Sequence, residues 1–298
     1  MRATGIVVVL AAASAITAAA AGSSSSGPVY LNDNSPSWSS NGRQILFVRM
    51  RQKLDPRNGE CCLLIGSSLH VIGVRSGGAR RLSSSRDDLQ AQLSPDGRWI
   101  AFIRHSRLYV SRADGTGARA VRGDFLEQYG PSWAPDSERL LFWRGKWGSS
   151  GGYYTIGRDG SGIRKVLGGI ADPWGADWSR DGSKLALIRG FDLWVTRADG
   201  SDAHAITGGR HDAYYDPDWS PDGSRLVFRS DLGVQIIRAD GTGRRRITTA
   251  PNELEQDVDP AWSPDSRWIA FAGSRSRGPY AIYLVRADGT GLRRLTHR

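Results

Sequence analysis

Six times along this chain a Trp-Ser pair, or a close variant, precedes a tight turn, two strand-like segments, an Asp-Gly landmark and a basic closing segment. The starts are Trp38-Ser39, Leu93-Ser94, Trp133-Ala134, Trp178-Ser179, Trp219-Ser220 and Trp262-Ser263. The landmarks are Ser76-Gly77, Asp114-Gly115, Asp159-Gly160, Asp199-Gly200, Asp240-Gly241 and Asp288-Gly289. A period of roughly 40 to 50 residues is the length of a four-stranded propeller blade. One such sheet cannot bury both of its faces, so six of them must pack side by side around an axis. The expected fold is all-β: a six-bladed β-propeller of four-stranded antiparallel blades spanning residues 29–298.

Each part of the template has a physical role. In Ser94-Pro95-Asp96-Gly97, Pro fixes φ at the first central position, Asp suits the second, and Gly accepts a positive φ. Ser137 and Ser266 stand where other repeats have that Gly, and Arg180 stands in place of the Pro. Apolar-rich strands follow, such as Trp99-Ile100-Ala101-Phe102 and Leu226-Val227-Phe228. The next strand alternates with period two, as in Leu193-Trp194-Val195. Trp133, Trp178, Trp219 and Trp262 recur in register, which predicts blade-to-blade packing for them.

The string WSPDGSRLVF…VQIIRADGTGRRRIT, from Trp219 to Thr248, resembles the repeat of the TolB-like six-bladed propeller family. Similar repeats occur in the propellers of prolyl-oligopeptidase relatives. The resemblance covers Tyr30 to Arg298; repeat one is degenerate, with a long insertion from Arg49 to Ser68. It implies a six-bladed fold used mainly for protein or ligand binding. TolB adds an α/β domain ahead of its propeller, and the oligopeptidase relatives add a hydrolase domain after theirs. The expectation here is a propeller alone, its ring shut by packing with no strand shared between first and last blades.

Met1-Arg2, the apolar run Ile6–Ala21 and the small residues at its end read as a signal peptide over 1–21. A Ser/Gly-rich leader over 22–28 follows, and the expected location is periplasmic, cell-wall or extracellular. The only cysteines, Cys61 and Cys62, are neighbours; a vicinal disulfide, an intermolecular bond and free thiols all stay open. The formal net charge is +10, but its Arg residues are dispersed along the chain. Export and this dispersal disfavour nucleic acid. The outer strands, with Arg80-Arg81, Arg164-Lys165, Arg244-Arg245-Arg246 and Arg293-Arg294, would form a basic rim open to anionic wall polymer or a membrane surface.

Label the strands of each blade A to D from inside to outside. The Ser-Pro-Asp-Gly turns (A to B) and Asp-Gly turns (C to D) then share one face of the disc. The D-to-A connectors and B-to-C loops, which differ between blades, share the other. Function usually resides in variable loops on a rigid scaffold. The expected binding surface is therefore an acidic mouth on the varied face. Its candidates are Asp87, Asp88, Asp124, Glu127, Asp172, Asp212, Asp216, Glu255, Asp257 and Asp259, with the aromatic Tyr129, Trp174, Tyr214 and Tyr215. Asp177 and Asp218 fall in the same connectors, and Trp147 lies in an insertion after strand B. The expected partner is a protein or peptide, drawn in as a cation if those carboxylates converge.

Catalytic chemistry finds little support. Gly148-Ser149-Ser150-Gly151-Gly152 fits G-x-S-x-G, but a nucleophile elbow needs a strand before and a helix after. No two of the five histidines share a metal-ligand spacing. The weak metal candidate is His211, beside Asp212 and Asp216, and it supports the alternative of a metal-assisted lyase or hydrolase acting on polysaccharide. No cofactor is expected.

Overall fold

The computed structural model describes residues 29–54, 61–121, 127–171, 174–208, 214–248, 256–275 and 278–297. Among them no helix occurs, and the strands form six four-stranded antiparallel sheets, each built from four consecutive strands. Blade 1 is β1 (Val29–Trp38), β2 (Gln44–Leu54), β3 (Cys61–Gly73) and β4 (Gly77–Arg81). Blade 2 is β5 (Asp88–Leu93), β6 (Trp99–Arg104), β7 (Arg107–Arg112) and β8 (Arg119–Ala120). Blade 3 is β9 (Glu127–Trp133), β10 (Arg139–Lys146), β11 (Ser150–Gly157) and β12 (Arg164–Gly168). Blade 4 is β13 (Ala176–Trp178), β14 (Lys184–Arg189), β15 (Asp192–Arg197) and β16 (His204–Ala205). Blade 5 is β17 (Tyr214–Trp219), β18 (Arg225–Ser230), β19 (Gly233–Arg238) and β20 (Arg245–Arg246). Blade 6 is β21 (Gln256–Trp262), β22 (Trp268–Ser274), β23 (Ala281–Arg286) and β24 (Arg293–Arg294).

The core lies in the seams between blades. Six buried clusters each join residues of two adjacent sheets, such as Ala101 and Val110 of blade 2 with Trp133 and Phe142 of blade 3. Trp133, Trp178, Trp219 and Trp262 sit in these seams as their register predicts. Arg158 stacks over Trp99 and Arg139 over Trp178, so cations close the outer ends of some seams.

Side chains of the inner strands latch one blade to the next. Ser37 Oγ accepts the Leu93 N–H (3.0 Å), and Gln92 Oε1 accepts the Trp133 N–H (2.7 Å). Asp177 Oδ2 accepts the Trp219 N–H (2.9 Å), and Asp218 Oδ2 accepts the Trp262 N–H (2.7 Å). The last seam has a different set. Asp259 Oδ2 accepts from Ser35 N (2.9 Å) and Oγ (3.1 Å), and the Trp38 indole donates to the Ala261 carbonyl (3.1 Å). The ring thus closes by packing and hydrogen bonds, with no strand exchanged between blades 1 and 6.

The repeated turns explain the landmark residues. In each Asp-Gly turn the carboxylate accepts from the backbone and hydroxyl two residues on, as Asp240 does from Thr242 (2.8 and 2.7 Å). The glycine faces the neighbouring blade: a Cβ on Gly200 would stand 2.2 Å from the Val166 carbonyl oxygen. On Gly289 the nearest such atom, the Ile247 carbonyl oxygen, would be 3.3 Å away.

The described parts of the segment from Arg49 to Ser68 are strand and not loop. They lengthen the sheet of blade 1, with Arg49 opposite Ser68, Lys53 opposite Leu63 and Leu54 opposite Cys61. The inner strand lengthens with them, Val29 pairing with Lys53. The Gly-x-Ser-x-Gly segment spans the β10–β11 hairpin turn, with no helix after it. Outer strands in blades 2, 4, 5 and 6 are only two residues long, shorter than their basic sequences suggest.

Two outcomes follow. Ser266 takes φ +57° at the place of a turn glycine, a conformation costing an L-residue about 1 kcal/mol or more. Ser266→Gly relieves this at an unfolded-state entropy cost of about 0.7 kcal/mol; the thermal midpoint is expected to rise by about 1–2 °C. Gly200→Ala is expected to lower stability by about 2 kcal/mol or more, measured by urea unfolding, with Gly289→Ala the milder change.

Candidate functional site

The six inner strands enclose a polar cavity of about 310 Å³ on the axis. Each strand carries, or in blade 4 is immediately preceded by, a residue of positive φ, namely Ser35, Gln90, Gly130, Gly175, Asp216 and Asp259. In five of the six, the pairing register to the second strand breaks at this residue. Such a bulge re-aims the side chains around it.

Four carboxylates line this wall: Asp177, Asp216, Asp218 and Asp259. The structure therefore places Asp216 and Asp259 on β17 and β21, within the channel, and Asp177 and Asp218 on β13 and β17 beside them. Burial pushes the Asp177 carboxyl up to about 6, against hydrogen bonds from Ser132 Oγ, the Trp219 N–H and Gln92. Burial, with the neighbouring Asp177 charge, raises Asp218 well above the ordinary carboxylate range. Asp216 is raised well above it too, by burial first and then by the Asp259 carboxylate beside it. Burial thus disfavours the charged form of Asp177, Asp216 and Asp218 along this wall.

On the varied face the other candidates separate by role. Asp87 is exposed and meets His105 Nε2 at 3.1 Å. Asp88 is fully buried and accepts from Arg104 Nε at 2.7 Å. Glu127 Oε2 accepts the Trp147 N–H at 3.2 Å. Tyr214 is buried, its hydroxyl accepting from Arg244 Nη1 at 2.7 Å. Asp257 pairs through its backbone with Gly273. Asp124, Asp172, His211, Asp212 and Glu255 lie outside the described residues.

The aromatic candidates converge. Tyr129, Trp147, Trp174 and Tyr215 form a run of edge-to-face contacts across blades 3, 4 and 5, with centroids 5.3, 5.7 and 5.1 Å apart. Trp147 is positioned by the β10–β11 hairpin, Trp174 by the approach to β13, and Tyr215 by β17. The Arg229 guanidinium lies 4.8 Å over the Tyr215 ring. Tyr129 anchors one end: it is buried, and its hydroxyl meets Ser106 Oγ at 3.3 Å. Two residues at B-to-C hairpin tips of the same face, Phe191 and Leu232, are 63% and 50% exposed. Sequence reasoning passed over this pair and the nearby Arg189 and Arg229. The available signal was Gly190-Phe191-Asp192 and Asp231-Leu232-Gly233, a large apolar residue at a tight turn where a polar one is usual.

The geometry defines a propeller scaffold with one uniform and one divergent face. The chain matches no family model and no curated protein sequence. Solved structures share its fold. TolB from Acinetobacter baumannii aligns with a TM-score of 0.65 at 14% identity, covering 91% of this chain and 79% of its own. An oligogalacturonate lyase in complex with manganese aligns at 0.61 and 16%, covering 90% and 78%. A nidogen/laminin complex structure aligns at 0.56 and 14%, covering 72% and 78%. The fold is thus that of the TolB-like six-bladed propellers.

The channel carboxyls predict a pH dependence. Asp177, Asp216 and Asp218 bind their protons more tightly folded than unfolded, so their contribution is complete at low pH and is lost as pH rises through the folded-state pKa. For Asp177 that window runs from about 4, the unfolded range, to about 6; for Asp216 it opens at the same point and runs upward. Asp216→Asn keeps an uncharged acceptor there. The variant should lose less thermal stability than the parent between pH 5 and pH 8.5 by scanning calorimetry. An identical loss in both proteins would contradict a raised Asp216 carboxyl.

Proposed function

We propose that this chain is a non-catalytic binding propeller, exported with removal of residues 1–21, that recognises a protein or peptide at its divergent-loop face. The observation that carries this reading is the aromatic run Tyr129–Trp147–Trp174–Tyr215, with exposed Phe191 and Leu232 beside it. Isolated exposed apolar residues are ordinary, but an aromatic run and apolar hairpin tips grouped on one face of a rigid ring have the composition of a binding hot spot. The described carboxylates of this mouth support specificity less directly: Asp88 is neutralised by Arg104, and Glu127 holds the Trp147 backbone. The fold shared with TolB and with a nidogen/laminin complex structure is compatible with binding work.

A metal-assisted lyase built on the same fold would need converging ligands. Among the described residues, no three His, Cys, Asp or Glu side chains are placed to hold a metal ion.

The test is affinity capture from an envelope extract of the producing cells, using the mature protein, Trp147→Ala/Trp174→Ala, and a Thr242→Ala control on the uniform face. A partner retained by the parent and the control, and reduced at least about tenfold with the double variant, is the expected result, in line with the cost of removing interface aromatics. Equal capture by all three would refute the reading. So would a manganese-induced rise in melting temperature accompanied by cleavage of polygalacturonate.

A further inference from the structure

Four blades carry an arginine on their second strand, eleven residues after the repeat's Trp or Leu: Arg49, Arg104, Arg144 and Arg189. Each guanidinium sits over an aromatic ring of its own sheet. Arg49 lies 5.3 Å from the Phe47 centroid, Arg104 5.1 Å from Phe102 and from Tyr109, Arg144 5.5 Å from Tyr154, and Arg189 5.0 Å from Trp194. A planar guanidinium seated this way keeps its N–H edge free for a carboxylate.

Blades 1 and 2 fill that edge from within. Asp33 accepts from Arg49 Nε and Nη2 at 2.6 and 2.8 Å, and Asp88 accepts from Arg104 Nε at 2.7 Å. Both arginines are correspondingly covered, each with 19% of its side chain exposed. The internal carboxylate stands five residues before the repeat's Trp or Leu, at Asp33 and Asp88. In blade 3 that place is Gln128 and in blade 4 it is Pro173. Arg189 is exposed, and among the described residues no carboxylate lies within ion-pair distance of it. Asp192, opposite it in the hairpin, accepts instead from Thr207 Oγ1 (3.2 Å). Among the described residues, Arg189 thus has the seat of Arg49 and Arg104 without their counter-ion.

Apolar side chains share this end of blades 4 and 5 with Arg189. Phe191 is two residues away at the hairpin tip, and its carbonyl accepts the Tyr214 N–H (3.3 Å), joining this tip to the inner strand of blade 5. Trp174, Tyr215 and Leu232 continue the surface, with Arg229 over Tyr215 as a second cation. Asp231 is exposed beside Leu232, and Asp192 is half-buried. We propose that Arg189 receives a carboxylate from the partner: an acidic peptide segment whose Asp or Glu takes the place that Asp33 and Asp88 fill in blades 1 and 2, with an adjacent apolar side chain against Phe191 and Trp174. This rests on the divergent face being the binding face, and it sets the partner's charge opposite to that expected of an acidic mouth.

The experiment is panning a phage-displayed random dodecapeptide library on the full mature chain. Enriched peptides are then measured by fluorescence polarisation against the parent, Arg189→Gln, Arg189→Lys and Phe191→Ser/Trp174→Ala, each checked for folding by circular dichroism. The expected peptides carry Asp or Glu within two residues of Leu, Phe, Tyr or Trp. Arg189→Gln should weaken them at least about tenfold, the scale of a lost charge-assisted contact, and Arg189→Lys should restore part of the loss. Basic or uncharged peptides that need Phe191 and Trp174 but ignore Arg189 would overturn this inference and leave the binding face standing. Failure to enrich, or peptides indifferent to every variant, would remove both.

Discussion

A four-stranded sheet of this kind is stable only against its neighbours, so everything rests on the contact between one blade's inner strand and the next blade's repeat-starting residue. The seam buries that residue, usually a Trp, between two sheets. A side chain of the preceding inner strand then satisfies its backbone N–H: Gln92 for Trp133, Asp177 for Trp219, Asp218 for Trp262. An unpaired buried N–H would cost about 1–3 kcal/mol at each of these three seams. The Asp-Gly turns act at the outer radius in the same way, their glycines letting each turn touch its neighbour's backbone.

This arrangement divides labour between the two faces. The uniform face is made of turns whose hydrogen bonds are internal, so its residues are committed to the fold. The opposite face is built from hairpin tips and connectors that the seams hold in place but do not specify. Trp147, Phe191 and Leu232 occupy tips there and can vary without disturbing a latch. A ring closed by side chains and indole N–H groups at its last seam, with no shared strand, keeps those tips at fixed separations.

Fold and site were unequally legible in the sequence. The Trp-Ser and Asp-Gly periods reveal the blade count, the strand order and the seam position of the tryptophans, because they repeat for one physical reason in every blade. The carboxylates were harder to place. Asp216 and Asp259 follow connector segments in sequence, yet bulges centred on those same residues turn them into the channel wall, and no single-sequence pattern marks a bulge formed by Asp with a positive φ. Arg189 was hidden for a different reason. Its significance appears only when its ring contact and missing carboxylate are set against Arg49 and Arg104. The extension of blade 1 resembled an insertion because its pairing is long-range within the hairpin and lacks the period of the other blades.

The most direct measurement is hydrogen–deuterium exchange of the full chain, read at the latch amides of Leu93, Trp133, Trp219 and Trp262 and at the strands β1 and β21 of the closing seam. If the seams hold one continuous ring, these amides exchange together, and only as slowly as global unfolding allows. Early exchange confined to β1 and β21, with the other latches still protected, would mean that the ring opens between blades 1 and 6 and that its divergent face is not a fixed surface.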